Sequence, residues 1–163
     1  NRIALQWAIG CAVMSFVGAG FLGFAHTLPS VNMWTHGTLV TAMHGHMAFW
    51  GAYAMLILAM MTYVMPQMTG RKLYKGWIPE WAFWLTNIGM IAMTGAFAVM
   101  GIAQVYMERK SGMDFLEVQE SLEVHALGLV LAAALFTVGV ILFIKNFISY
   151  GMPKDELSES SED

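Results

Sequence analysis

Long apolar runs separated by short polar interruptions dominate this chain. The first runs from Ile3 to Ala25, with no charge between Arg2 and His26. The second extends from about Gly37 to Met65, and the third from Trp81 to Tyr106 between Glu80 and Glu108. The fourth runs from Ala126 to about Ile144, between His125 and Lys145. A helix needs roughly 20 apolar residues to cross a bilayer. The pattern therefore predicts an all-α membrane protein. Its four transmembrane helices fall over about 3–25, 37–65, 81–106 and 126–144, within a segment 1–148. A soluble bundle is a poor match, because uncharged runs of this length have little use in water.

Composition sharpens this picture. The 163 residues are 58% hydrophobic and only 12% charged, with a mean hydropathy of +0.59. Soluble domains are typically about 25% charged. The net charge of −3 arises mostly in the stretch "DELSESSED". Residues 149–163 are predicted to form an acidic, disordered cytoplasmic tail, too polar to pack. Cys11 stands alone, so no intrachain disulfide is expected. The first run lacks an A-x-A-like cleavage site and reads as a retained helix. It starts one residue into the chain, with no initiator Met, which reads as part of something longer. There is no phosphate loop, paired-Cys metal motif, nucleophile elbow or basic nucleic-acid face.

Charge placement orients the spans. With four crossings, both termini share one side with the loop at 66–80, and the loops at 26–36 and 107–125 share the other. The first side holds Arg2, Arg71, Lys72, Lys75, Lys145 and Lys154, and the second only Arg109 and Lys110. The positive-inside rule counts basic residues and places the termini in the cytoplasm. The expected location is a bacterial inner membrane, multi-pass, with the acidic loop outside. Trp34, Trp77, Trp81 and Trp84 lie near span ends, as an interfacial aromatic belt requires.

All five histidines fall on or near the outer side. His44 and His46 lie about eight to ten residues into the second run, roughly 12–15 Å deep at 1.5 Å per residue. Ionisable groups at such depth are costly and are functional candidates. Helical positions i and i+2 point about 200° apart. His44 and His46 therefore cannot chelate one metal ion as an i, i+4 pair does. They suit two separate centres on opposite faces, and buried neutral imidazole is a good haem ligand. Gly45 between them keeps the helix slim. The structural alternative is a hydrogen bond from each imidazole to a neighbouring helix. Geometry alone leaves both open.

The spacing His36-x7-His44-x-His46 resembles the tenth helix of the catalytic subunit in the haem–copper oxidase superfamily. The wording of "HTLPSVNMWTHGTLVTAMHGHMAFWGAYAM" is similar to that of bacterial cytochrome c-dependent nitric oxide reductases. The stretches "YVMPQMTGRKLYKG" and "GIAQVYMERKSGMDF" match the same family. The resemblance covers essentially the whole chain, as helices nine to twelve of a twelve-helix bundle. It implies that His44 is the proximal ligand of a high-spin haem b3 and His46 an axial ligand of a low-spin haem b. It places His36 beside the haem propionates. It further implies reduction of two NO to N2O and water, a cytochrome c subunit as partner and electron donor, and a non-haem iron. The ligands of that iron belong to helices outside this chain, because no Glu or Asp lies within a span. The implied partners are the N-terminal helices of the catalytic subunit and the lipid bilayer, with no nucleic acid.

Four alternatives remain at this level: a non-catalytic dihaem cytochrome b that transfers electrons or anchors only, a haem-free scaffold, an O2-reducing member of the superfamily, and a quinol-fed relative. Among other residues, Thr27, Thr38 and Thr41 are expected to bond carbonyls one turn back. Thr86, Asn87, Thr94 and Gln104 read as interhelical hydrogen-bonders, and Ala19-x-x-x-Gly23 as a weak signal for close helix contact. Phe49, Trp50 and Tyr53 suit either core packing or porphyrin contact. His26 and His125 read as interfacial histidines, His26 with a propionate or a partner subunit as its alternative.

Overall fold

A computed structural model describes residues 1–70 and 76–149. The expectations for Arg71, Lys72, Lys75, Lys154 and the acidic tail lie outside these residues, apart from position 149, which closes the last helix. Four helices are long and apolar enough to cross a membrane: α1 (Arg2–Thr27), α3 (Leu39–Met68), α4 (Trp77–Lys110) and α5 (Phe115–Ser149). A short helix, α2 (Pro29–Thr35), lies between the first two. No strand occurs among the described residues.

Helix ends follow from local chemistry. The Asn1 side chain accepts from the Ala4 amide and caps α1. Its Nδ2 donates to the Thr62 carbonyl at 2.7 Å. That carbonyl has lost its helical donor, because Pro66 lies four residues on and has no N–H. Arg2 pairs with Glu80 at 2.9 Å and ties the same ends of α1 and α4. Thr38 caps α3 by accepting from the Val40 amide. Pro29 opens α2, where its fixed φ suits the first turn.

The core draws on all four spans. Trp7 of α1 is almost wholly buried and meets Trp50, Phe83 and Phe143 edge to face, at 6.2, 5.1 and 5.8 Å. Trp50 also meets Phe136 at 4.9 Å and donates its indole N–H to Asn87 Oδ1 at 3.2 Å. Trp50 is therefore a core residue, whereas Phe49 and Tyr53 remain exposed. In lipid the hydrophobic effect does not pull helices together, so small residues that admit close packing matter more. A Cβ on Gly18 would lie 2.6 Å from the Met47 backbone, and one on Gly51 2.5 Å from that of Met14. These reciprocal glycines let α1 and α3 cross backbone to backbone. Gly89 and Gly139 do the same for α4 and α5, against Phe136 and Thr86. At the first crossing both helices open into wide π-type turns, Phe16–Leu22 and Trp50–Ala54.

Three sequence expectations change. The helix α5 begins at Phe115, well before the apolar run at 126. Its first turns are amphipathic: Val118 and Leu122 are buried against Met100, Met107 and Ala126, while Glu117, Glu120 and Glu123 are exposed. The acidic stretch read as loop is thus a helix with one apolar stripe. His125 stands exposed within it. Thr86 bonds the Ala82 and Phe83 carbonyls of its own helix rather than another. The helix carrying the histidine pair starts at Leu39, so His44 and His46 lie only about 8 to 11 Å along it. Thr94, like Thr86, does not reach another helix: its Oγ1 is buried with no hydrogen-bond partner among the described residues. Other expectations hold. Asn87 and Gln104 do reach across helices, the latter accepting from the Leu39 amide at 2.9 Å. Thr27 and Thr38 bond carbonyls one turn back, whereas Thr41 bonds the Thr35 carbonyl six residues back, outside its own helix.

Candidate functional site: two imidazoles on opposite faces of one helix

Both central histidines sit in the first turns of α3, separated by Gly45. They face different neighbours. His44 is half-buried against α1, with Nδ1 3.0 Å from the Gly18 carbonyl oxygen. A carbonyl can only accept, so Nδ1 carries the proton and donates. His46 turns the other way. Its Nδ1 donates to the Ala42 carbonyl at 2.8 Å, and its ring tilts over Phe97 of α4 at 4.8 Å. His46 is exposed and borders a groove of about 570 Å³. Ala42, Gly45, Phe49, Met90 and Phe136 line that groove. A Cβ on Gly45 would meet nothing within 4 Å among the described residues.

The tautomers decide what these rings can do. With Nδ1 protonated and held by a carbonyl, a neutral imidazole presents the bare lone pair of Nε2. Metal-ligating histidines are oriented in this way by a carbonyl partner. Both His44 and His46 meet the condition, each on its own side of α3. Among the described residues, no group of three or more His, Cys, Asp or Glu is placed to hold a metal ion.

The remaining histidines divide. His26 closes α1 and lies against His44, ring on ring at 4.9 Å and 22° between planes. Sequence reasoning missed this pairing, because residues 26 and 44 are joined only by the tertiary fold. His36 is exposed at the end of α2 and is not brought against His44 or His46. Its carbonyl accepts from Arg109 Nη2 at 3.3 Å. That bond, with Gln104 on Leu39, pins the entry to α3 onto α4. Gln104 is held in turn by Glu108, at 2.8 Å.

The chain belongs to the family described as cytochrome c and quinol oxidase polypeptide I, which matches residues 2–137. It is therefore a membrane-protein member of the haem–copper oxidase superfamily, a family that implies haem cofactors. Among individual proteins, it is 37% identical to a nitric oxide reductase subunit of Stutzerimonas stutzeri, over 93% of this chain and 34% of that protein. It is 31% identical to a cytochrome c oxidase subunit 1 homologue of Agrobacterium tumefaciens, over 61% of this chain and 19% of the relative. Cytochrome c oxidase subunit 1 of Rhodobacter capsulatus is also 31% identical, over 60% of this chain and 20% of its own length. The chain thus spans about a third or less of the curated relatives it matches.

The donor set suits haem: on each face of α3 an imidazole has its Nδ1 held by a carbonyl. Among the described residues, neither Nε2 makes a hydrogen bond. The His46 side adds an apolar groove with aromatic walls, as a porphyrin face requires.

Proposed function

We propose that this chain forms the C-terminal part of the catalytic subunit of a nitric oxide reductase. His44 is the proximal ligand of a high-spin haem b3, and His46 is an axial ligand of a low-spin haem b. The observation that carries the reading is the pair of Nδ1-anchored imidazoles on opposite faces of α3. The identity to the Stutzerimonas stutzeri nitric oxide reductase subunit across nearly the whole chain supports the choice of activity.

In this reading two NO, two electrons and two protons give N2O and water. Haem, held by His44 and His46, would supply the one-electron redox chemistry. The chain's own residues hold and orient. Gly18 and Ala42 accept from the two Nδ1 atoms and keep both rings in the ligating tautomer. Phe97 packs against the His46 ring, and Trp50 ties α3 to α4 through Asn87. His36 lies at the outer entry to α3, where it is assigned to the haem propionates. The second axial ligand of haem b and the ligands of the non-haem iron belong to residues outside this chain. The N-terminal helices of the catalytic subunit, a cytochrome c subunit as electron donor and the lipid bilayer are the proposed partners. The protein is placed in the bacterial inner membrane with its termini in the cytoplasm.

A second reading, an O2-reducing member of the superfamily, is favoured by the two oxidase relatives. Turnover separates the two. The native membrane complex is purified, its iron and haem are counted, and it is fed reduced cytochrome c with NO or with O2. The proposal expects N2O formation, two b haems of which one shifts with CO, and one iron beyond the haem count. Water formation from O2 without N2O favours the oxidase. Two CO-insensitive haems with no extra iron would leave a non-catalytic dihaem cytochrome.

A further inference from the structure

We infer that His26 is a positioning residue for His44: its ring, laid flat on the His44 ring, fixes the rotation of that imidazole plane. The inference rests on the reading that His44 ligates a haem.

Among the described residues, His44 makes one hydrogen bond, from Nδ1 to the Gly18 carbonyl. A carbonyl oxygen accepts over a broad range of directions, so that bond sets a distance more firmly than a ring plane. A second contact is needed to stop the imidazole from turning. His26 provides it, at 4.9 Å between centroids and 22° between planes. His26 is itself pinned, because its Nδ1 donates to the Leu22 carbonyl at 2.8 Å within the last turn of α1. Gly23 completes the cradle. A Cβ there would lie 3.3 Å from His44 Cε1, so glycine leaves that edge of the ring free.

The nitrogen of His26 does not explain its presence. Its Nε2 is buried with no hydrogen-bond partner among the described residues. A buried acceptor left unpaired is a cost. What His26 gives His44 is a flat face, since the two rings share no hydrogen bond. The plane of an axial imidazole governs how its nitrogen orbitals meet those of iron. A ring held at one angle therefore gives one narrow population of iron–imidazole bonds, and a free ring gives several.

The test compares His26→Ala and His26→Phe with the unaltered protein in the native membrane complex. His44→Ala serves as the check on ligation. The readout is the iron–imidazole stretching band of the reduced high-spin haem, with the low-spin haem bands as internal control. His26→Ala is expected to shift or broaden the stretching band while the low-spin bands stay in place. His26→Phe, which keeps a flat ring and lacks the nitrogen, is expected to restore the band. An unchanged band in His26→Ala overturns the inference, and so does a shift in His26→Phe as large as that in His26→Ala. If His26→Ala fails to assemble, the Phe variant decides alone: a band unchanged from the unaltered protein supports the inference, and a shifted or broadened band overturns it. Loss of haem from both variants also overturns it, because positioning leaves assembly intact. A His44→Ala complex that keeps its high-spin haem and its band would instead sink the ligand reading beneath it.

Discussion

Gly18 couples helix packing to the site, and Gly18→Ala perturbs both at once. An ideal Cβ at this position lies 2.6 Å from the Met47 carbonyl carbon and 2.7 Å from the Ala48 nitrogen. Ordinary contact begins at 3.4 Å, and both neighbours are backbone, so α1 and α3 must part by about 0.8 Å. Overpacking of this kind costs about 1–3 kcal/mol. The Gly18 carbonyl also accepts from His44 at 3.0 Å. The same displacement along that bond stretches it to about 3.8 Å, which is no longer a hydrogen bond. Its loss adds about 1 kcal/mol. The expected total is therefore about 2–4 kcal/mol, together with a disturbed His44. Gly20→Ala is the matched control, since a Cβ there meets only ordinary contacts at 3.8 and 3.9 Å. The assay is thermal unfolding of the purified native complex, read beside the CO-difference spectrum. Gly18→Ala should melt lower than Gly20→Ala and alter the CO-sensitive haem, leaving the other haem unchanged. Identical melting and spectra for the two variants would refute the reasoning.

Three further outcomes follow from the packing. Trp50→Phe keeps the aromatic core but leaves the Asn87 oxygen without its indole donor, and should lower stability by about 1–3 kcal/mol in a denaturation series. Gln104→Leu removes the acceptor for the Leu39 amide, and hydrogen exchange at that amide should accelerate while the core of α4 stays protected. Leu122→Ala empties a site only 3% exposed, at a cost of about 2–5 kcal/mol. Its effect should appear as faster exchange over residues 115–125, and uniform loss of protection along α5 would contradict the placement.

Much of the fold was legible because bilayer thickness converts directly into apolar run length. The opposed directions of His44 and His46 were legible as well, since the helical period dictates them. Asn87 and Gln104 announced themselves as polar residues in an apolar run. The start of α5 stayed hidden because Glu117, Glu120 and Glu123 mask a stripe of only two buried residues, Val118 and Leu122. Thr86 was misassigned because a hydroxyl in lipid can satisfy itself on its own helix. The Gly18 carbonyl could not be read at all, since a backbone acceptor has no letter of its own. The stacking of His26 on His44 depends on where the end of α1 meets α3, and no local pattern encodes that meeting. Likewise, the weak small-residue signal at Ala19 and Gly23 pointed near the crossing, yet Gly18 and Gly51 make it.

The central claim is that one helix carries two haem ligands on opposite faces, each serving a different haem. Haem content and reduced spectra, with and without CO, of His44→Ala and His46→Ala in the native complex test it most directly. The account predicts complementary losses: His44→Ala abolishes the CO-sensitive haem and keeps the other, and His46→Ala does the reverse. Both haems surviving in either variant, or the same haem lost from both, would contradict it.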